Sequence, residues 1–181
     1  MPFGHPKRPS KTLDAQELWD FALKALGQRA LSSGELREKL RRKATNADDV
    51  AGVLARLKEY GYLNDTRMAD SFATNRRESR GFGKMRVLRD LQQRRVAPGL
   101  AREAVDKAFA DADETAMVED YLTRKYGATD LGKYLQDDKK LASVFRRLRT
   151  AGFSSGTSIR VLKRYAKQAE ELESLEDSPS D

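Results

Sequence analysis

The sequence contains no cysteine, which excludes a disulfide framework and any thiolate metal site. Its one histidine is His5, set among prolines at the start. A histidine general base or a histidine-built zinc site therefore lacks its residues. Aromatics make up 8% of the chain and apolar residues 39%, the latter below the usual share for a globular domain. No apolar run approaches the about 18 residues that suggest a membrane span, and no signal-peptide core follows the first methionine. These absences predict a soluble, cytoplasmic protein with thin cores and no cofactor or metal.

Charge is what the chain has in abundance. Charged residues are 35% of the total, and the formal net charge is +7 over 181 residues. Such a balance favours a polyanionic partner; it says nothing of fold. The charge is also segregated. Residues 76–95 hold eight basic side chains against two acidic ones, and 139–149 hold five basic and none acidic. Residues 102–120 hold seven acidic and two basic. Arg160, Lys163, Arg164 and Lys167 follow helical spacing and predict a continuous basic stripe. Candidate contacts to the phosphate backbone of single- and double-stranded DNA are therefore Arg76, Arg77, Arg80, Lys84, Arg86, Arg146, Arg147, Arg149, Arg160, Lys163, Arg164 and Lys167.

Apolar spacing is helical almost throughout, and no strand is predicted. Leu18, Ala22, Ala25 and Leu26 mark a first helix. Ser32 with Glu35 forms a capping box for a second, which carries Leu36 and Leu40. Asn46 starts a third with Val50, Val53, Leu54 and Leu57, closed by Gly61 in a left-handed turn. The pattern then recurs: Met68, Ala69 and Phe72; a break at Gly81-Phe82-Gly83; Val87 and Leu91; and a helix opened by Pro98. A third round runs from an Asp111–Glu114 cap through Val118 and Leu122 to Gly127. It continues through Leu141, Val144, Phe145 and Leu148 to Gly152, and ends with Ile159, Leu162 and Ala166.

Nine helices in three sets of three predict an all-α fold of tandem three-helix repeats, an elongated helical array. The expected divisions are a flexible basic arm at 1–13, repeats at 14–61, 62–110 and 111–168, and an acidic disordered tail at 169–181.

Catalytic motifs are weak. Gly81-Phe82-Gly83-Lys84-Met85 lacks the spacing and preceding strand of a phosphate loop. It reads as a hinge, with Phe82 as a core plug. Asp48-Asp49 and Asp137-Asp138 read as helix starts rather than metal ligands, and Trp19 as a core residue.

Three stretches together carry a resemblance. They are Ser32-Ser33-Gly34-Glu35-Leu36-Arg37-Glu38-Lys39-Leu40; Val53 through Gly61-Tyr62-Leu63-Asn64-Asp65; and Met68-Ala69 on to Arg80-Gly81-Phe82-Gly83. In that order and spacing the chain resembles the RecX family of bacterial regulators of the RecA recombinase. The fit is good over residues 14 to 110 and looser in the third repeat. Where the family usually has Lys-Gly at the end of the middle helices, this chain has Lys43-Ala44 and Arg94-Arg95. The resemblance implies three tandem three-helix repeats forming a curved helical array, and a non-enzymatic inhibitor lying in the groove of the RecA–DNA filament; a monomer is expected. It implies suppression of ATPase, strand exchange and coprotease activity, in DNA repair and recombination. The competing readings are a stand-alone helical nucleic-acid binder, such as a transcriptional repressor, and an enzyme with an unrecognised site. In either case Gly61, Tyr62, Leu63 and Asp65 are expected to form a joint between repeats, with Tyr62 and Leu63 wedged between two bundles.

Overall fold

The structure, a computed structural model, describes residues 12–169 and residue 172. Most of the expected basic arm and acidic tail lies outside these residues. Among the described residues the chain is all-α, with ten helices. They are α1 (Ala15–Gln28), α2 (Ser33–Arg41), α3 (Ala47–Glu59), α4 (Asp65–Glu78) and α5 (Lys84–Gln93). There follow α6 (Pro98–Ala108), α7 (Glu114–Tyr126), α8 (Leu131–Tyr134), α9 (Asp138–Ala151) and α10 (Ser155–Leu162). The tenth helix beyond the nine expected is α8. It is a single turn, too short for a periodic signal, and it is started by Asp130, whose carboxylate accepts from the Lys133 amide at 3.1 Å. None of the helices is long and apolar enough to cross a membrane.

Contacts divide the chain into two compact units. One is Met1–Met68 with Arg94–Ala97; the other is Ala69–Gln93 with Pro98–Asp181.

In the first unit, α1, α2 and α3 pack Leu18, Ala22, Leu36, Leu40, Val53 and Leu57 into one core. The i, i+4 spacing of these residues puts each pair on one face of its helix. Burying each Leu contributes about 1.5–3 kcal/mol. Capping boxes start α1 (Asp14 with Glu17) and α2 (Ser32 with Glu35). Gly61, at φ +72°, closes α3: the Gly61 amide donates to Lys58 and the Tyr62 amide to Leu57, the paired bonds of a Schellman motif. The end of α2, where Ala44 replaces the glycine, is secured differently. Leu13 donates to the Lys43 carbonyl at 2.7 Å and accepts from the Thr45 amide at 2.9 Å, an isolated parallel bridge.

The segment Arg94–Ala97 closes this unit. The Ser32 hydroxyl donates to the Arg94 carbonyl. Arg95 takes φ +57°, and it is the non-glycine residue with positive φ among those described. A side chain at Gly34 would collide with Arg95, so the start of α2 and this left-handed residue touch through backbone. The Ser33 amide donates to Asp65 at 2.7 Å. Asp65 thus serves α2, while Asn64 caps α4 by accepting from Arg67 at 2.8 Å.

The expected wedge is corrected here. Leu63 belongs to the first unit's own core, and Tyr62 is 57% exposed. An aromatic ring carrying a hydroxyl tolerates water on one side, and the positive φ of Gly61 turns the chain so that Tyr62 faces outward beside Tyr60.

In the second unit, α4, α5 and α6 bury Ala73, Val87, Leu91, Ala101, Ala104 and Val105. A larger core gathers Val118, Leu122, Phe145, Leu148, Phe153 and Leu162 from α7, α9, α10 and their joints. Ala169 and Leu172, expected in the acidic tail, are buried in this core. Gly152 repeats the closure seen at Arg95: it has φ +97°, and its carbonyl accepts from Met85 at 3.1 Å. Gly83 donates to Ala151 at 2.9 Å, and a Cβ on either glycine would strike the opposite backbone.

Two starts differ from expectation. Asp113, not Asp111, caps α7, accepting from Thr115 and Ala116. Glu114 instead reaches the start of α10, where the Ser154 amide and hydroxyl donate to it at 2.7 and 2.6 Å. Burial pushes the Glu114 carboxyl up, but the Ser154 and Thr157 bonds outweigh it and hold the group below the ordinary range.

Candidate nucleic-acid interface

Two basic stretches that lie far apart in sequence meet in the second unit. On α5, Arg86 and Arg89 both direct a guanidinium at the Thr150 carbonyl near the end of α9, at 3.4 and 3.3 Å. A helix C-terminus carries partial negative charge and unpaired carbonyls, so it holds cations there. Arg146 lies one turn earlier on α9, where its carbonyl accepts from the Thr150 hydroxyl at 2.9 Å. Arg86 and Arg89 of the first basic block thus meet the end of the helix that carries the second.

A buried carboxylate organises the centre of it. Asp90 accepts from Arg86 Nε at 2.8 Å and forms an ion pair with Arg76 Nε at 3.7 Å. The Asp90 side chain is 11% exposed, while those of Arg76 and Arg86 are 33% and 37% exposed. Phe82 is half-buried, with Arg76 at 5.8 Å and Arg86 at 5.3 Å from its ring centroid. It is flanked by cations rather than plugged into an apolar core, which corrects the sequence reading. Phe72 lies 4.9 Å from the Arg76 guanidinium. Stacked guanidiniums are fixed in orientation yet keep donor edges for a phosphate oxygen.

The other candidates fall into distinct circumstances. Arg77 donates to the Ala108 carbonyl at 2.6 Å and so caps α6. Arg149 donates to the Phe153 carbonyl at 2.7 Å. Lys84 pairs with Asp106 at 2.7 Å, Arg147 lies over Tyr126, and Arg164 pairs with Glu119. Arg80, Arg146, Arg160 and Lys167 are exposed, and among the described residues they have no ion-pair partner. Arg160, Lys163, Arg164 and Lys167 do not share one continuous α-helix: α10 stops at Leu162, Lys163 and Arg164 lie in the turn that follows, and Lys167 opens a short 3-10 stretch.

Sequence reading missed a mostly basic groove in the first unit. It has a volume of about 490 Å³ and is lined by Arg37 and Arg41 of α2, by Asp48 and Lys58 of α3, and by Ala51 and Ala55. Arg37 and Arg41 stand four apart on one helix face, a signal that was legible. Lys58 joins them only through the packing of α3 on α2.

The Glu35 carboxylate caps Ser32 at 3.0 Å and receives Arg94 at 2.9 Å and Arg29 at 3.0 Å. Burial raises its pKa, but the Arg94 and Arg29 guanidiniums and the Ser32 amide outweigh that and hold it below the ordinary glutamate value of 4.5. Among the described residues no group of three or more His, Asp or Glu side chains could hold a metal ion.

Comparison with known proteins matches the chain to the RecX family. Residues 19–57 match the first three-helix domain of RecX, and residues 64–105 match the second three-helix domain. The Regulatory protein RecX of Syntrophotalea carbinolica is 30% identical over 139 residues, covering 77% of this chain and 90% of that one. The counterpart from Deinococcus radiodurans is 36% identical, covering 68% of this chain and 58% of its own length. That from Shigella sonnei is also 36% identical, over 61% and 70%. Among solved structures, RecX from Lactobacillus salivarius matches with a TM-score of 0.65 at 19% identity, over 83% of this chain and 96% of that one. A second regulatory protein RecX matches at 0.60 and 18%, over 81% and 72%. The structural likenesses bear on fold alone: a helical array of three-helix repeats.

Proposed function

The chain belongs to the RecX family of regulatory proteins, and from that premise we propose that it is a non-enzymatic inhibitor of the RecA recombinase. In this reading it works in the cytoplasm as a monomer. It lies in the groove of the RecA–DNA filament and suppresses ATPase, strand exchange and coprotease activity. The observation that carries the DNA contact is the meeting of Arg86 and Arg89 with α9 at Thr150. In this reading Arg76, Arg86 and Arg89, with the exposed Arg80 and Arg146, contact one polyanion. Their affinity would come mainly from counterion release and so fall steeply with salt. Arg77 and Arg149 are engaged with carbonyls of their own unit and are assigned structural work. The repeats at 14–61, 62–110 and 111–168 are the modules of this reading. Residues 62–68 and 94–97 are shared with the first unit.

The test is DNA-dependent ATP hydrolysis by the cognate recombinase with this protein added below stoichiometry. Inhibition is expected at low salt. It should weaken in an Arg76→Ala/Arg86→Ala variant. Undiminished ATP turnover at every ratio of wild-type protein would refute the proposal.

A further inference from the structure

The first unit carries an aromatic surface that none of these contacts uses. Tyr60 and Tyr62 are 60% and 57% exposed, on either side of the left-handed Gly61. Trp19 of α1 is half-buried against the core, which corrects its expected place as a core residue. The tyrosines meet Trp19 edge-on, with centroids 5.9 and 6.3 Å away and planes at 70° and 72°. They lie 6.4 Å from each other, tilted by 41°. Arg56 spreads its guanidinium 4.2 Å above the Trp19 ring and 5.6 Å from that of Tyr60.

This arrangement has a chemical preference. Edge-on packing fixes both tyrosine rings and leaves each tyrosine more than half exposed, with Arg56 over the Tyr60 ring. A chain with 8% aromatics thus holds two adjacent rings largely open to water, at a cost that a stacked partner would remove. Arg56 lies over both the Trp19 and the Tyr60 ring, so its charge is held beside the tyrosines. Flat rings flanked by a cation suit unpaired nucleobases on a phosphate chain. Duplex bases, already stacked on each other, offer no such face.

We propose that Tyr60, Tyr62 and Arg56 form a stacking platform for unpaired bases of a single-stranded nucleic acid, with Trp19 as its support. The contact is distinct from the phosphate contacts of the second unit and does not depend on the recombinase reading. It is tolerant of sequence, because every base has a π face.

The test uses the whole protein with a short labelled oligothymidylate, an abasic strand of equal length, and a duplex. Wild-type protein is expected to prefer oligothymidylate to the abasic strand, with quenching of Trp19, the single tryptophan. Tyr60→Ser/Tyr62→Ser should weaken oligothymidylate binding by at least about tenfold, the loss of roughly one stacked base, and leave duplex affinity unchanged. Tyr60→Phe/Tyr62→Phe, which keeps the faces, should bind as wild type. Equal affinity for abasic and thymidylate strands would overturn the proposal. So would a serine variant that binds like wild type, or a phenylalanine variant that fails as badly as the serine one. A serine variant that keeps oligothymidylate affinity but loses filament inhibition would reassign the surface to a protein partner.

Discussion

Glu35 and Arg94 form the ion pair best placed for a quantitative test. Their side chains are 16% and 19% exposed, so solvent screens them less than a surface pair. Arg94→Ala removes two guanidinium bonds to Glu35, at 2.9 and 3.4 Å, and one to the Ala30 carbonyl at 2.6 Å. Removing a partner from a fully buried pair costs about 3–5 kcal/mol. Here Glu35 keeps Arg29 and the Ser32 amide, so the carboxylate is not orphaned. The expected loss is therefore nearer the about 1.5–3 kcal/mol of bonds to charged groups. Glu35→Gln keeps the size and a carbonyl acceptor but loses the charge. In a double-mutant cycle the two changes should couple by about 1–2 kcal/mol. Urea unfolding followed by Trp19 fluorescence is the natural assay, since that ring reports from the same unit. Coupling below about 0.5 kcal/mol, the level of an exposed pair, would refute the argument. The pH dependence gives a second arm. The folded pKa of Glu35 is depressed, so its contribution is present above 4.5 and is lost as pH falls through the folded value. Glu35→Gln should flatten that acid limb; an unchanged limb would contradict the assignment.

Arg95→Gly should raise stability by about 0.5–1 kcal/mol, since relief of the left-handed strain, roughly 1–2 kcal/mol, exceeds the entropy cost of glycine. Any loss in a denaturant midpoint counts against it. Gly83→Ala should cost about 1–3 kcal/mol by overpacking against Gly152. Gly99→Ala in α6, where a Cβ meets nothing within 4 Å, should be neutral or stabilising by up to about 1 kcal/mol. Paired thermal melts by circular dichroism check both. Arg80→Ala and Arg146→Ala should each reduce the salt slope of DNA binding by about 1 if they contact phosphate, whereas Arg77→Ala should lower stability through the freed Ala108 carbonyl.

The helices were legible in the sequence because their signals are local. Ser32 with Glu35, Pro98, Gly61 and Gly152 each act within a few residues, and each stands where spacing put it. What the sequence could not give was the partner of a side chain. Glu114 looked like its own helix's cap, yet its acceptors serve Ser154, 40 positions away. Arg77 and Arg80 look alike in sequence; packing sends Arg77 to a carbonyl on α6 and leaves Arg80 exposed. The basic run after Leu162 departs from one continuous helix for another reason: α10 ends there, and the chain goes on through a turn into a short 3-10 stretch. Arg95 was the least predictable, because an arginine adopts there the conformation that glycine favours.

The closure of the first unit by Arg94–Ala97 has a consequence for synthesis. Ser32 waits for a carbonyl 62 residues downstream, and Glu35 for a guanidinium 59 residues downstream. A nascent chain ending at Gly61 has made α1, α2 and α3 but not the residues that lock the start of α2. On the ribosome, at about 5–20 residues per second, several seconds separate the first core from its final clasp. During that interval the N-terminal bundle must stand on its apolar core, its local caps and the Arg29–Glu35 pair.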